Sequence, residues 1–201
     1  MRVVVSEFVT LDGVFEDPGG VEGFAHGGWA FEYERGPEAD RFKLDEILEA
    51  DALLLGRTTY EAFAEAWASR TDDAGFADKM NAISKYVAST TLTRADWNNS
   101  TILSSDVIGD VRQLIDHGGG ALLVVGSGSI VRQLVSHDLV DEIRLMVFPT
   151  VLGTGATLFG GIEHPCGFSI RDLRRFGETA LVTLERSGPA TASAEATPRA
   201  R

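Results

Sequence analysis

A chain of 201 residues is long enough for one domain with a full core and short for two. Hydrophobic residues make up 44% of it, the balance of a globular protein, while 30 acidic against 18 basic residues leave a net charge of −12 that argues against nucleic acid or an anionic membrane as partner. No apolar run approaches the roughly 18–20 residues of a membrane span, Met1-Arg2-Val3-Val4-Val5 opens a strand and not a signal peptide, and the lone Cys166 excludes an internal disulfide, so a cytoplasmic protein is expected.

The elements alternate along the chain. Val3 to Val9 reads as a strand, followed by a Gly-rich loop from about Thr10 to Gly36. Residues 38–50 carry Phe42, Leu44, Ile47 and Leu48 at helical spacing, and Ala52 to Leu55 is a short apolar run suited to a strand buried on both faces. Thr59 to Trp67 reads as a helix and Ser84 to Ala88 as a strand. Asp106 to His117 is an amphipathic helix stopped by Gly118-Gly119-Gly120. Ala121 to Val125 repeats the buried-strand pattern, runs into Gly126-Ser127-Gly128-Ser129, and leads to a helix ending near His137. Glu142 to Phe148 is another strand. Phe168–Phe176 and Ala180–Arg186 flank Gly177-Glu178 as an antiparallel hairpin. The pattern predicts one α/β domain over residues 1–186, with a mainly parallel sheet, helices on both faces and a C-terminal antiparallel hairpin. Residues 187–201, rich in Ala, Thr, Ser and Pro, read as a disordered tail.

Two strand-to-helix junctions have the chemistry of anion sites. At Leu55-Gly56-Arg57-Thr58-Thr59-Tyr60 a helix opens just after a glycine, so unpaired N–H groups stand beside threonine hydroxyls and a permanent cation. The plainer alternative is a turn at Gly56, a helix cap at Thr58 and Arg57 in solvent. At Val125-Gly126-Ser127-Gly128-Ser129-Ile130-Val131 the glycines admit close approach of a pyrophosphate, although Val131 stands where the dinucleotide fingerprint has its third glycine. A simple strand–helix turn fits that segment equally. Ala88-Ser89-Thr90-Thr91 adds hydroxyls suited to a ribose or a 2′-phosphate. Two such turns after two buried strands suit a dinucleotide.

These stretches resemble the dihydrofolate reductase superfamily, in the branch that includes the C-terminal reductase domain of bacterial riboflavin biosynthesis. Val5-Ser6-Glu7-Phe8-Val9-Thr10-Leu11-Asp12-Gly13-Val14 is similar to its first strand and turn, and Leu53 to Tyr60 to its Gly-Arg-x-Thr segment. Leu123 to Ser129 stands in the place of its Gly-Gly turn, with Gly126-Ser127 as a departure from that pattern. Leu139 to Leu145 and Pro149 to Gly153 are similar to a later strand and turn, so the resemblance spans residues 2 to about 186. It implies the three-layer dihydrofolate reductase-like fold, NADPH as cofactor, a small-molecule substrate and a homodimer.

The resemblance further implies that Arg57 meets the 2′-phosphate, with Ser89 or Thr90 nearby. Thr58, Thr59 and the backbone of the Gly56 turn would meet the pyrophosphate, as would Gly126, Ser127, Gly128 and Ser129, with Val14 and Phe15 near the nicotinamide. Asp40 lies where the family carries the carboxylate that fixes the substrate ring and helps deliver the proton, sixteen positions before Gly56; otherwise it is an exposed first-turn carboxylate. Glu7 is a charge inside an apolar strand, which either pairs with an arginine or faces the substrate cleft. Trp29, Phe31 and Tyr33 alternate as a lid strand or as a stacking surface. His164-Pro165-Cys166 lacks the further ligands of a zinc deaminase, and His26, His117 and His137 show no ligand spacing.

The expected activity is hydride transfer from NADPH to a C=N or C=O bond of a small heterocyclic substrate. Residues 11–37 hold one base, Arg35, against Asp12, Glu16, Asp17, Glu22, Glu32 and Glu34, which favours a neutral ring over a phosphorylated one. A non-catalytic NADPH sensor on the same fold is the alternative, and a pure interaction module a third. Either cofactor reading requires a small positive pocket on an acidic surface, with affinity falling as salt is added.

Overall fold

The computed structural model describes residues 1–187, so all but the first residue of the 187–201 tail lies outside the described residues. The elements are β1 (Arg2–Thr10), α1 (Gly36–Glu49), β2 (Ala50–Gly56), α2 (Arg57–Trp67), α3 (Phe76–Ala82), β3 (Ser84–Ala88), β4 (Ser100–Ile102), α4 (Val107–Asp116), β5 (Ala121–Val125), α5 (Gly128–Ser136), β6 (Glu142–Phe148), β7 (Phe168–Phe176) and β8 (Thr179–Arg186). They build one eight-stranded sheet in the order β4-β3-β2-β5-β1-β6-β8-β7. β1 to β6 pair in parallel, and β8 runs antiparallel to both β6 and β7. The α/β class, mainly parallel sheet and C-terminal hairpin expected from the sequence are all present.

Alternation along the strands sorts the core into two layers. Val3, Val5, Leu54, Leu122 and Val124 pack with Val111 of α4 and Ile130, Val131 and Leu134 of α5. Val4, Leu53, Leu55 and Leu123 face the other way, onto Ile47 of α1, Tyr60 of α2 and Met80 of α3. Leu53, Leu54 and Leu55 are fully buried, so truncating Leu54 to alanine costs about 2–5 kcal/mol. A third cluster joins Trp29, Phe148, Phe176 and Leu181 beyond α1.

Three local features depart from the sequence reading. α3 is a helix of only 7 residues, too short for a periodic signal, and the Asp72 carboxylate caps it by accepting the N–H groups of Phe76 and Ala77 at 3.0 and 2.6 Å. β4 is a three-residue edge strand held by β3. Residues 29–33 make no lid strand: Trp29–Glu32 is a 3-10 turn that buries Trp29 and leaves Phe31 exposed. Beside β4, the buried Lys85 ammonium donates to the carbonyls of Ile83 and Asn98 at 2.8 and 2.9 Å and lies 4.3 Å from the Trp97 ring centre. Loss of hydration at that position pulls its pKa down to about 8.

Candidate active site

The connections give the sheet a switch point at the carboxyl ends of β1 and β5. From β1 the chain passes over one face through α1 to β2, while from β5, the strand beside β1, it passes over the other face through α5 to β6. Adjacent strands whose connections diverge leave the space above them open, the usual place for a ligand in such sheets.

Both anion-ready turns border that space, and side chains lock them together. The Gly56 N–H donates to Ser127 Oγ at 2.8 Å, and Ser127 Oγ donates to the Val125 carbonyl at 2.8 Å. Thr59 Oγ1 donates to the Gly126 carbonyl at 2.7 Å from the other side. Gly126 has φ of +62°, and a Cβ there would lie 2.9 Å from Thr59 Cγ2, so the turn demands glycine twice over. At Gly128 a Cβ would stand 2.2 Å from Phe15 Cζ, which shows how closely the Phe15 ring covers the start of α5. The Gly126–Ser127 peptide is trans.

The two helices α2 and α5 therefore direct their N-terminal dipoles toward neighbouring points on the sheet edge. The Thr58 cap considered from the sequence is not formed: Gly56 occupies the cap position of α2 without any side-chain bond. Arg57 is half-exposed and paired with Glu61 at 2.8 Å. Such a surface pair is worth a few tenths of a kcal/mol and yields readily to a competing phosphate. Ser89 follows β3, next to β2 in the sheet. Its hydroxyl is engaged locally, accepting the N–H groups of Thr91 and Leu92 at 3.2 and 2.8 Å, while Thr90 and Ser129 are exposed. Val14 is buried and bridged to Thr157, with its N–H on Thr10 Oγ1 at 3.0 Å.

Glu7 lies beneath the second turn. It is 4% exposed, and its Oε1 accepts the Ser127 N–H at 3.3 Å. Among the described residues it forms no ion pair, so the arginine partner considered from the sequence is absent, and the side chain lies on the α5 side of β1. Burial pushes its pKa up to about 7, against the pull of the Gly126 and Ser127 N–H groups and of Lys43.

Asp40 lies apart from these groups. Its side chain is 65% exposed and its carboxylate pairs with Arg35 at 3.1 Å. Arg35 and Lys43 each stand 5.2 Å from the centre of the Phe8 ring, which also packs on Phe148. Three of the loop carboxylates that seemed to repel an anion are occupied with backbone. Asp17 accepts Val21, Glu22 and Phe24 N–H groups. Asp12 accepts Gly153 N–H and Glu16 accepts Ala156 N–H, each at 2.7 Å. These bonds tie residues 12–16 to residues 153–156.

A buried polar cluster beneath Phe8 was not singled out from the sequence. Glu46 of α1, its side chain 1% exposed, accepts Lys43 at 2.7 Å and Arg144 at 3.2 Å, and Ser6 Oγ donates to it at 2.8 Å. The i,i+3 spacing of Lys43 and Glu46 was the available signal; Arg144, almost a hundred residues away, carries none.

The RibD C-terminal domain family matches residues 1–182. A Bacillus subtilis (strain 168) protein called YyaP is 24% identical over 179 residues, covering 87% of this chain and 89% of YyaP. Among solved structures, a Shewanella sp. PV-4 protein with a provisional riboflavin-biosynthesis name superposes with TM-score 0.74 at 20% identity, covering 94% of this chain and 100% of that one. The diaminohydroxyphosphoribosylaminopyrimidine deaminase/5-amino-6-(5-phosphoribosylamino)uracil reductase of Thermotoga maritima superposes with TM-score 0.61 at 16% identity, over 92% of this chain and 56% of that one. Dihydrofolate reductase from Enterococcus faecalis, complexed with NADP(H), superposes with TM-score 0.54 at 13% identity, over 93% of this chain and 97% of that one. With its mixed sheet, its paired turns and a match over nearly its whole length, the chain belongs to the RibD C-terminal domain family and has the dihydrofolate reductase-like fold.

Proposed function

We propose that this protein is a cytoplasmic NADPH-dependent reductase acting on a C=N or C=O bond of a small heterocyclic substrate. The observation that carries the reading is the coupling of the Gly56 and Gly126–Ser127 turns through Ser127 Oγ and Thr59 Oγ1, which sets two helix N-termini side by side. The residues fit the cofactor's polyanionic half: first-turn N–H groups without helical acceptors and Arg57, half-exposed, for a 2′-phosphate. NADPH supplies the hydride. The chain's own part is to orient the reactants, with Val14 and Phe15 closing the nicotinamide end, and to exclude water. Asp40 released from Arg35, or an ordered water, supplies the proton.

The exposure and ion pairing of Asp40 favour one second reading, an NADPH-binding sensor without catalysis. A homodimer is part of the proposal, supported by Ile170 and Leu173 on edge strand β7, each 62% exposed.

Fluorescence titration with NADPH and NADH, followed by a screen of heterocyclic and carbonyl substrates for NADPH oxidation, tests the function. NADPH should bind more tightly than NADH, and Arg57→Ala should cut that preference by about 10- to 100-fold, the value of a charge-assisted hydrogen-bond pair. Absence of binding by either nucleotide overturns both cofactor readings, and NADPH binding without any turnover selects the sensor.

A further inference from the structure

Glu7 sits where the cofactor's negative charge would come, yet on the inner side of the turn. Its carboxylate takes the Ser127 N–H, one of the groups at the start of α5, and so already occupies part of the anion-attracting end of that helix. The surroundings offer little else to balance a charge. Its register partner on β6 is Leu145, and the α5 turn contributes the uncharged Gly126 and Ser127. The charged groups acting on it are Lys43 and Glu46 of α1, which pair with each other at 2.7 Å, and Glu46 is further held by Arg144 of β6, itself paired with Glu142.

We propose that Glu7 is the positioning residue of the dinucleotide turn and that it takes up a proton from solvent when the cofactor's pyrophosphate binds the outer side of that turn. This rests on the cofactor reading above. Two anions on opposite sides of one turn, with low-dielectric protein between them, repel strongly. The strain is relieved when Glu7 becomes a neutral carboxylic acid, because its carbonyl oxygen still accepts the Ser127 N–H and the turn keeps its shape. In the free protein burial has already brought this carboxyl to a midpoint of about 7, so a modest further push converts it within the physiological range. Cofactor affinity then declines as pH rises above neutrality.

Isothermal titration of the full chain with NADPH at pH 7.5, in buffers of different ionisation enthalpy, measures the proton uptake. About 0.5–0.7 proton per NADPH is expected for the wild-type protein in excess of Glu7→Gln, with the 2′-phosphate titrating alike in both. Equal uptake in the two proteins overturns the inference while leaving the cofactor reading standing. A wild-type protein that binds no NADPH ends both. If Glu7→Gln binds too weakly to measure, the 13C resonance of the Glu7 carboxyl decides the matter in the wild-type chain, followed from pH 5 to 9 with and without NADPH. Its midpoint should move up on binding, and an unchanged midpoint overturns the proposal.

Discussion

Ser127 Oγ accepts the backbone N–H of Gly56 at 2.8 Å across 71 residues of sequence, joining the end of β2 to the cap of α5. Because the same hydroxyl donates to Val125, it is fully employed in holding the two turns at one spacing. A dinucleotide needs several donors at fixed distances, and this bond supplies the spacing that two independent loops would lack.

Ser127→Ala should therefore act on stability and ligand together. The Gly56 N–H loses its acceptor, at a cost of about 1–3 kcal/mol in urea unfolding. NADPH affinity should fall about tenfold or more as the turns drift apart, a loss near 1.4 kcal/mol. A destabilised variant with undiminished NADPH affinity would separate the turn pair from cofactor binding.

Glu46 is held by Lys43, Arg144 and Ser6 with its side chain almost wholly buried. Glu46→Gln leaves Lys43 without a carboxylate while Arg144 keeps Glu142 at 2.5 Å, so unfolding free energy should drop by about 1–3 kcal/mol. Urea denaturation at pH 7 reads this directly. A change under about 1 kcal/mol would place the cluster among surface-like pairs.

Glu7 makes stability depend on pH in a definite direction. Its folded-state midpoint is raised from 4.5 to about 7, so its ionisation disfavours the folded state. The penalty is absent below about 4.5, grows between 4.5 and 7, and is complete above 7, where it reaches roughly 3 kcal/mol. Relative to wild type, Glu7→Gln should gain stability by that amount between pH 4.5 and pH 8. Unfolding curves at three pH values across the window suffice, and a constant difference would show that Glu7 titrates normally.

Strand β7 predicts an association surface. Ile170 and Leu173 pair in register with Leu184 and Val182 of β8, giving a partly exposed apolar strip on the open edge of the sheet. Sedimentation should find a dimer for the wild-type chain and a monomer for Leu173→Asp. A monomeric wild type at tens of micromolar would end the homodimer proposal.

Much of the fold was legible because the signals are local. Ala52 to Leu55 and Ala121 to Val125 are continuous apolar runs, and such runs suit strands covered on both faces. The pattern fails where an element is too short for a period, as in α3 and β4, or where alternation arises for another reason. Trp29, Phe31 and Tyr33 alternate like a strand, yet the left-handed Gly28 starts a 3-10 turn that sends Trp29 inward. The Gly-Arg-Thr-Thr and Gly-Ser-Gly-Ser segments were visible as separate turns, each with a plain structural alternative. Their convergence was not visible, since it depends on β5 inserting between β2 and β1.

The acidic balance, the alternating elements and the residue types at the two turns were determined by the sequence alone, because composition and short-range periodicity need no partner. The tertiary structure decided what those charges do. It bound Asp12, Glu16 and Asp17 to backbone N–H groups, paired Asp40 with Arg35 at the surface and placed Arg35 and Lys43 beside Phe8. It also set Glu7 under Ser127 without a countercharge in contact. A formal charge counts groups, whereas electrostatic effect depends on distance and on how much water is excluded, and only the folded chain establishes those.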